Sequence, residues 1–257
     1  MKVMRDKMQQ AFSDAATEYH QRAQFQHVQT ARVVDAAQML FPATATVIDI
    51  GCGTGFFAEL ATQKCSTWNI LGVDIAEGMC GFAARFCSPI QADARHLPLA
   101  ENVADGVVSS LCLQWVDDLS LAFGEIYRVL KPGGLAIVGS LGVDTLQELR
   151  VSSEKSYLSL GLLPMRDEAA YRAAIHASGL EISLFQRDLS LEYYPTVSAL
   201  MDSMRRIGAG NHMEDAPRQL TGASRWKKML AEYETLRIEQ GLPSSWDRLF
   251  MVLRKPQ

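Results

Sequence analysis

The stretch Val47-Ile48-Asp49-Ile50-Gly51-Cys52-Gly53-Thr54-Gly55-Phe56-Phe57 carries an apolar, β-rich segment straight into glycines at every second position. That is the pattern of a strand that ends in a loop and opens a helix. Glycine at 51, 53 and 55 lets the backbone turn sharply and approach a ligand with no Cβ in the way, and the following helix offers unpaired N–H groups to an anion. The spacing separates kinds of nucleotide site. A dinucleotide fingerprint needs G-x-G-x-x-G, but here Phe56 follows Gly55, and a P-loop needs a Gly-Lys-Ser/Thr that this loop lacks. Taken alone, the turn also suits a plain strand-to-helix connection.

Downstream, strand and helix patterns alternate. Strands are expected at 46–50, 70–74, 90–92, 104–110 and 136–140, and helices at 56–61, 77–86 and 119–129, with the turn Lys131-Pro132-Gly133-Gly134 before the fifth strand. Such alternation predicts an α/β fold with a parallel sheet covered by helices on both faces. Asp74 ends the second strand, where a carboxylate can accept both hydroxyls of a ribose; Asp93 follows the third, where it can accept from an adenine amino group. Either aspartate also suits a helix cap or a turn. Their positions at successive strand ends, beside the glycine loop, favour a ligand, because open α/β sheets bind at that edge.

Upstream, Phe12, Ala16, Tyr19 and Ala23 recur at helical spacing, and a second helix is expected over 30–40, ending before Pro42. Beyond Gly142 the rhythm breaks into helical stretches at 146–160, 168–178, 197–207 and 224–240, with strand material at 180–191 and a final strand at 248–254. The expected organisation is one domain: an N-terminal helical lid over 1–41, a cofactor-binding core over 44–142, substrate-side helical additions over 143–245, and the closing strand.

Composition narrows the classes. The 257 residues suffice for a large core, and no apolar run approaches the roughly 20 residues of a bilayer-spanning helix. Met1-Lys2-Val3-Met4-Arg5-Asp6-Lys7 leads into no apolar core of the kind a secretory signal has, so a cytoplasmic protein without membrane association is expected. Cys52, Cys65, Cys80, Cys87 and Cys112 are odd in number with no CxxC pair, and the histidines are scattered; neither disulfides nor a metal site is expected. A net charge of −4 argues against a general nucleic-acid binder.

The glycine loop, Asp74, Asp93 and Glu125-Ile126-Tyr127-Arg128-Val129-Leu130-Lys131-Pro132-Gly133-Gly134-Leu135 together closely resemble the class I S-adenosylmethionine-dependent methyltransferases over 44–142. The resemblance implies a Rossmann-like class I methyltransferase fold, with a mostly parallel seven-stranded sheet, helices on both faces, N-terminal lid helices and a helical insertion near the C-terminus. It implies that the loop from Gly51 to Gly55 packs on the methionyl part of S-adenosylmethionine, that Asp74 holds the ribose, and that Asp93 with Ala94 contacts adenine. Asp49, Cys52, Ile75, Met79 and Leu111 complete the implied cofactor surroundings, and S-adenosylhomocysteine is the implied product. The Leu130 to Gly134 turn is structural in that family, and Cys52 reads as a small packing residue.

A shared fold does not name an acceptor, so the flanking segments carry that reading. Ala11-Phe12-Ser13-Asp14-Ala15-Ala16-Thr17-Glu18-Tyr19-His20-Gln21-Arg22-Ala23-Gln24-Phe25-Gln26 is similar to the opening of the biotin-pathway malonyl-[acyl-carrier protein] O-methyltransferases. So are Ser110-Leu111-Cys112-Leu113-Gln114-Trp115-Val116-Asp117-Asp118-Leu119 and Met204-Arg205-Arg206-Ile207-Gly208-Ala209-Gly210-Asn211 to corresponding segments there. Ser245-Trp246-Asp247-Arg248-Leu249-Phe250 departs from the aromatic or Tyr-His pair usual before the last strand.

This second resemblance implies methyl transfer to the carboxylate of a malonyl thioester, with acyl carrier protein as partner. That carboxylate is ionised at neutral pH and needs no general base, in keeping with a chain that shows no evident His–Asp or Cys–His arrangement. An arginine or a tyrosine hydroxyl is the expected holder. The candidates are Tyr19 and Phe25 on the lid segment, Gln114 and Trp115 after the fourth strand, and Arg205 or Arg206 for the malonyl carboxylate or the phosphopantetheine phosphate. Tyr19 and Trp115 equally suit core packing, and the two arginines a solvated helix face. Arg205, Arg206, Arg218, Arg225, Lys227 and Lys228 outnumber Glu214 and Asp215 in their region, a basic patch that suits an acidic carrier. Two alternatives stay open: a methyltransferase for a free polycarboxylate or quinone precursor, which has no use for such a patch, and a non-catalytic cofactor-binding partner protein.

Overall fold

The computed structural model describes residues 2–206 and 220–257; the side chains of 2–5, 205, 206 and 220–222 lie outside that description. The strands are β1 (Thr46–Ile50), β2 (Asn69–Asp74), β3 (Ser88–Gln91), β4 (Ala104–Ser110), β5 (Leu130–Leu141), β6 (Glu181–Tyr194) and β7 (Leu242–Arg254). They form a seven-stranded sheet in the order β3-β2-β1-β4-β5-β7-β6. Neighbours from β3 across to β5 are parallel, while β7 runs antiparallel to both β5 and β6. The helices are α1 (Lys2–Arg22), α2 (Gln24–Leu40), α3 (Phe56–Lys64), α4 (Glu77–Ala83), α5 (Leu119–Val129), α6 (Gln147–Lys155), α7 (Glu168–Ser178), α8 (Val197–Arg206) and α9 (Leu220–Glu234).

Alternate residues of each buried strand feed opposite faces, so both sides carry a core. On one face Phe123 and Ile126 of α5 and Tyr171 and Ile175 of α7 pack with Val107, Val138 and Met251. On the other, Val33 and Ala37 of α2 and Phe57 and Ala61 of α3 pack with Val47, Val108, Ile137 and Phe250. A third cluster joins Leu149 of α6, Leu200 of α8, Met229 and Tyr233 of α9, and Leu242 and Trp246 of β7.

Element boundaries depart from the sequence expectation where local chemistry decides. The helix expected over 146–160 ends at Lys155, because Leu158 N donates to Ser153 O at 2.9 Å and Tyr157 takes a left-handed φ of 52°. The turn at 131–134 is absorbed into β5 as an irregularity: Leu130 pairs with Ala104, and the register then jumps to Leu135 opposite Gly106. Gly133 N donates to Lys255 O at 2.9 Å and Lys255 N to Gly134 O at 3.0 Å, which ties this segment to the end of β7. The last strand begins at Leu242 and not at 248. Its polar Ser245 and Asp247 are buried because each finds partners: Ser245 N donates to Glu148 Oε2 at 2.8 Å, and Arg187 Nε donates to Asp247 Oδ1 at 2.8 Å. The helix expected at 30 begins at Gln24, that expected over 224–240 spans Leu220–Glu234, and that expected over 77–86 ends at Ala83. Ile207, the last residue of the stretch 197–207, lies outside the described residues.

Candidate active site

In this strand order the chain leaves β1 toward one edge and returns at β4 to build toward the other, so the carboxyl ends of β1 and β4 open a crevice. The glycine loop sits there. Gly51 N and Cys52 N donate to Val73 O at 2.7 and 3.0 Å, binding the loop to the end of β2. Gly51 has φ of 73°, and a Cβ on it would lie 2.2 Å from Cys112 Cβ, so only glycine fits. At Gly53, φ is 54° and the nearest atom to such a Cβ is Tyr19 Cε1 at 3.9 Å, which leaves open space in front of the loop. Gly55 caps α3 in the left-handed region.

Asp74 closes the arrangement from β2. Its carboxylate accepts from Gly53 N at 2.9 Å and from Ala76 N at 2.8 Å. Burial pushes its pKa up, and those main-chain N–H groups pull against the rise. Asp93 accepts from Arg95 through both oxygens, Nε at 3.0 Å and Nη2 at 2.7 Å, and Arg95 also reaches Asp117, which holds the guanidinium firmly charged. Gly51, Asp74, Ile75, Asp93, Ala94 and Trp115 all line one cleft.

A second cavity lies against the first; Trp115 and Leu163 line both. Its walls include Tyr19, Leu111, Gln114, Arg150 and Trp246. Gln114, 7% exposed, accepts from Ser140 Oγ at 3.1 Å, and Ser140 pairs in turn with the Tyr171 hydroxyl at 2.6 Å. Leu111 and Leu146 hold left-handed φ values of 55° and 58°, backbone strain placed at this wall. A narrower recess is lined by Tyr19, His27, Asp49, Cys52 and Gly53. Burial holds the Asp49 carboxyl well above its usual pKa, with Cys87 and Asp74 adding to the shift.

α1 covers this region. Its Ser13 Oγ accepts from Gly78 N at 3.2 Å, and a Cβ at Gly78 would lie 2.4 Å from Ser13 O, so the two helices touch backbone to backbone. Phe12 meets Tyr19 and Trp115 edge to face, with centroids 6.4 and 5.4 Å apart. Burial, then the charge of Asp74, pushes the Tyr19 phenol up, so it stays a neutral hydroxyl.

Of the residues singled out from sequence, Tyr19, Gln114, Trp115 and Leu111 meet at the second cavity, and Gly51, Gly53, Asp74, Ile75, Asp93 and Ala94 at the first cleft and recess, whereas Gly55 lines none of them and packs against Ala83 and Phe86. Met79 is buried between α1 and α4 with Ala16 and Ala76 and lines none of these spaces. Phe25 packs on Trp246 at 4.3 Å. The Arg205 and Arg206 side chains, with Arg218, lie outside the described residues. Sequence reading passed over Arg150 and Trp246. For Arg150 a signal existed: Leu146, Leu149, Arg150 and Ser153 share one helical face, and three of them are buried, so the arginine interrupts an inward stripe. Among the described residues no group of three His, Cys, Asp or Glu side chains forms a metal site, and no helix is long and apolar enough to cross a membrane.

Residues 48–138 match a family model described as a methyltransferase domain. A malonyl-[acyl-carrier protein] O-methyltransferase of Xylella fastidiosa is 33% identical over 257 residues, covering 97% of this chain and 87% of that protein. The chain belongs to the malonyl-[acyl-carrier protein] O-methyltransferase family. A second relative, from Methylovorus sp., is 31% identical over 270 residues, with 98% of this chain and 89% of that protein covered. The chain is also 31% identical to a biotin biosynthesis bifunctional protein of Cellvibrio japonicus, of which it spans 51%. Two solved structures share the fold: YcgJ of Bacillus subtilis, at 18% identity and a TM-score of 0.64 over 90% of this chain and 99% of that one, and a methyltransferase of Thermotoga maritima, at 19% identity and 0.57 over 96% and 99%. The protein is an enzyme of the class I methyltransferase fold.

Proposed function

We propose that this enzyme transfers a methyl group from S-adenosylmethionine to the free carboxylate of a malonyl thioester carried by acyl carrier protein, a step in making a biotin precursor. The observation that supports it most is the pair of adjoining cavities that share Trp115 and Leu163 as common wall. One has the lining a nucleoside needs and the other is an apolar chamber with one guanidinium.

The residues present fit the donor. Gly53 leaves room where a Cβ would stand, Asp74 keeps lone pairs for ribose hydroxyls beyond those its backbone partners use, and Asp93 with Ala94 lines the same cleft as the match for adenine. Asp49 borders the recess beside Gly53 and is the match for a methionyl ammonium. When bound, S-adenosylmethionine supplies an electrophilic methyl: a carboxylate oxygen lone pair forms the new C–O bond, the S–C pair returns to sulfur, and no proton moves. The chain therefore needs no base. Its task is to align the acceptor and keep water out, a role for the Phe12, Tyr19 and Trp115 cluster with α1 as the lid, while α2 belongs to the core of the sheet.

Transfer of labelled methyl to malonyl carrier protein, malonyl-CoA and free small dicarboxylates tests the reading. Both thioesters are expected to be methylated, the carrier-bound one most efficiently. No transfer to either malonyl thioester sinks it.

A further inference from the structure

The structure assigns Arg150 as the residue that binds the acceptor's carboxylate inside the second cavity and makes the site select a carboxyl-bearing acyl group over a neutral one; this rests on the function proposed above. Among the described residues, Arg150 is the one charged side chain lining that cavity, whose other described walls are aromatic, aliphatic, amide or hydroxyl. Its Nε donates to Thr145 O at 3.2 Å and its Nη2 to Leu163 O at 2.6 Å. Both anchors are main-chain carbonyls. Among the described residues no carboxylate pairs with it, and Nη1 keeps its donors free.

Arg150 is half-buried with no ion-paired carboxylate, so part of its desolvation cost stands, and an anion bound in the cavity would offset it. Burial lowers the Arg150 pKa from the usual arginine value, and the charge of Glu154, one turn along α6, pulls the other way. The mounting is rigid. Thr145 Oγ1 accepts from Asp247 N at 3.3 Å, Leu146 N donates to Ser245 O at 2.8 Å, and α6 starts there, so the arginine is held to β7. Its other anchor, Leu163, stands on the wall shared with the cofactor cleft.

The geometry also sets how the anion is held. The Nε and Nη2 edge, which commonly grips a carboxylate with two parallel bonds, is committed to the two carbonyls. The end-on edge, Nη1 with the second Nη2 hydrogen, is the one left to meet a carboxylate in the cavity.

Quenching of Trp115 and Trp246, which line the cavity, reads binding directly. Malonyl-pantetheine and acetyl-pantetheine are titrated in the presence of S-adenosylhomocysteine into the wild type, Arg150→Gln and Arg150→Lys, alongside steady-state kinetics with malonyl carrier protein. The wild type is expected to favour malonyl over acetyl by about 10- to 100-fold, the range of a charge-assisted hydrogen bond in a dry site. In Arg150→Gln this preference falls to within about threefold and KM rises by a similar factor, with S-adenosylhomocysteine affinity retained. If Arg150→Gln fails to fold by thermal melting, Arg150→Lys decides: the fork is lost, and the preference is expected to shrink at least about fivefold. A preference unchanged in a folded variant overturns the assignment of Arg150. A wild type that methylates no malonyl thioester overturns instead the function on which it rests.

Discussion

A buried carboxyl that holds its proton more tightly when folded than when unfolded costs stability as the pH rises, and Asp49 is such a group. Its pKa stands well above the ordinary 3.8, chiefly through burial. Stability linked to it is whole below about 3.8 and declines as the pH climbs from there through the raised folded value. Asp49→Asn removes that decline, so its urea unfolding free energy is expected to gain on the wild type as pH is raised across this window, while its affinity for S-adenosylhomocysteine falls. A variant that loses stability in step with the wild type at every pH would contradict this. Tyr171 makes a second case. Its hydroxyl, pushed up to about 12 by burial, stays protonated and donates to Ser140, which donates to Gln114 on the cavity wall. Tyr171→Phe is expected to cost about 1 kcal/mol in denaturant unfolding and to lower methyl transfer through a less fixed Gln114. At this scale the sequence speaks clearly where the backbone dictates a residue type, as at Gly51 and Gly53. It is silent where a common residue becomes special through long-range company: Arg150 gains its meaning from Leu163 and from β7, which spacing along the chain does not encode.

Among elements, α1 and α4 meet closely enough to test. Because a methyl group at Gly78 would press on the Ser13 carbonyl at 2.4 Å, Gly78→Ala is expected to lift α1 from its seat. Hydrogen exchange over 6–22 should quicken, and S-adenosylhomocysteine affinity should drop about tenfold, equivalent to about 1.4 kcal/mol, while the sheet melts close to the wild-type temperature. Unchanged exchange across α1 would show that the contact is not what seats it. Strand and helix identities were legible because the apolar periods are strong in β1, β4 and α5. The ends were less so. β7 reads as beginning at 248 because Ser244, Ser245 and Asp247 look like loop residues, yet Glu148, Thr145 and Arg187 satisfy two of them inside the sheet. Polar residues in a strand are invisible to a hydrophobic pattern when their partners lie about a hundred or sixty positions away.

For the molecule as a whole, charge is divided unevenly. On an acidic chain, Arg225, Lys227 and Lys228 stand exposed along α9, the described part of the basic patch. With the carrier as substrate, Arg225→Glu combined with Lys227→Glu is expected to lower kcat/KM about tenfold at low salt and less at high salt, and to leave malonyl-pantetheine unaffected. Equal losses on both substrates would place the effect elsewhere. The sheet order itself carries a further consequence. β6 pairs with β7 alone, and β7 is also the strand that brings Trp246 to the second cavity. During synthesis, the parallel half with its glycine loop and Asp74 is complete before residue 242 exists, whereas β6 waits without a neighbour. A nascent chain thus acquires a place for its cofactor first, and a place for its acceptor only when the thirteen residues of β7 slide between two strands already made.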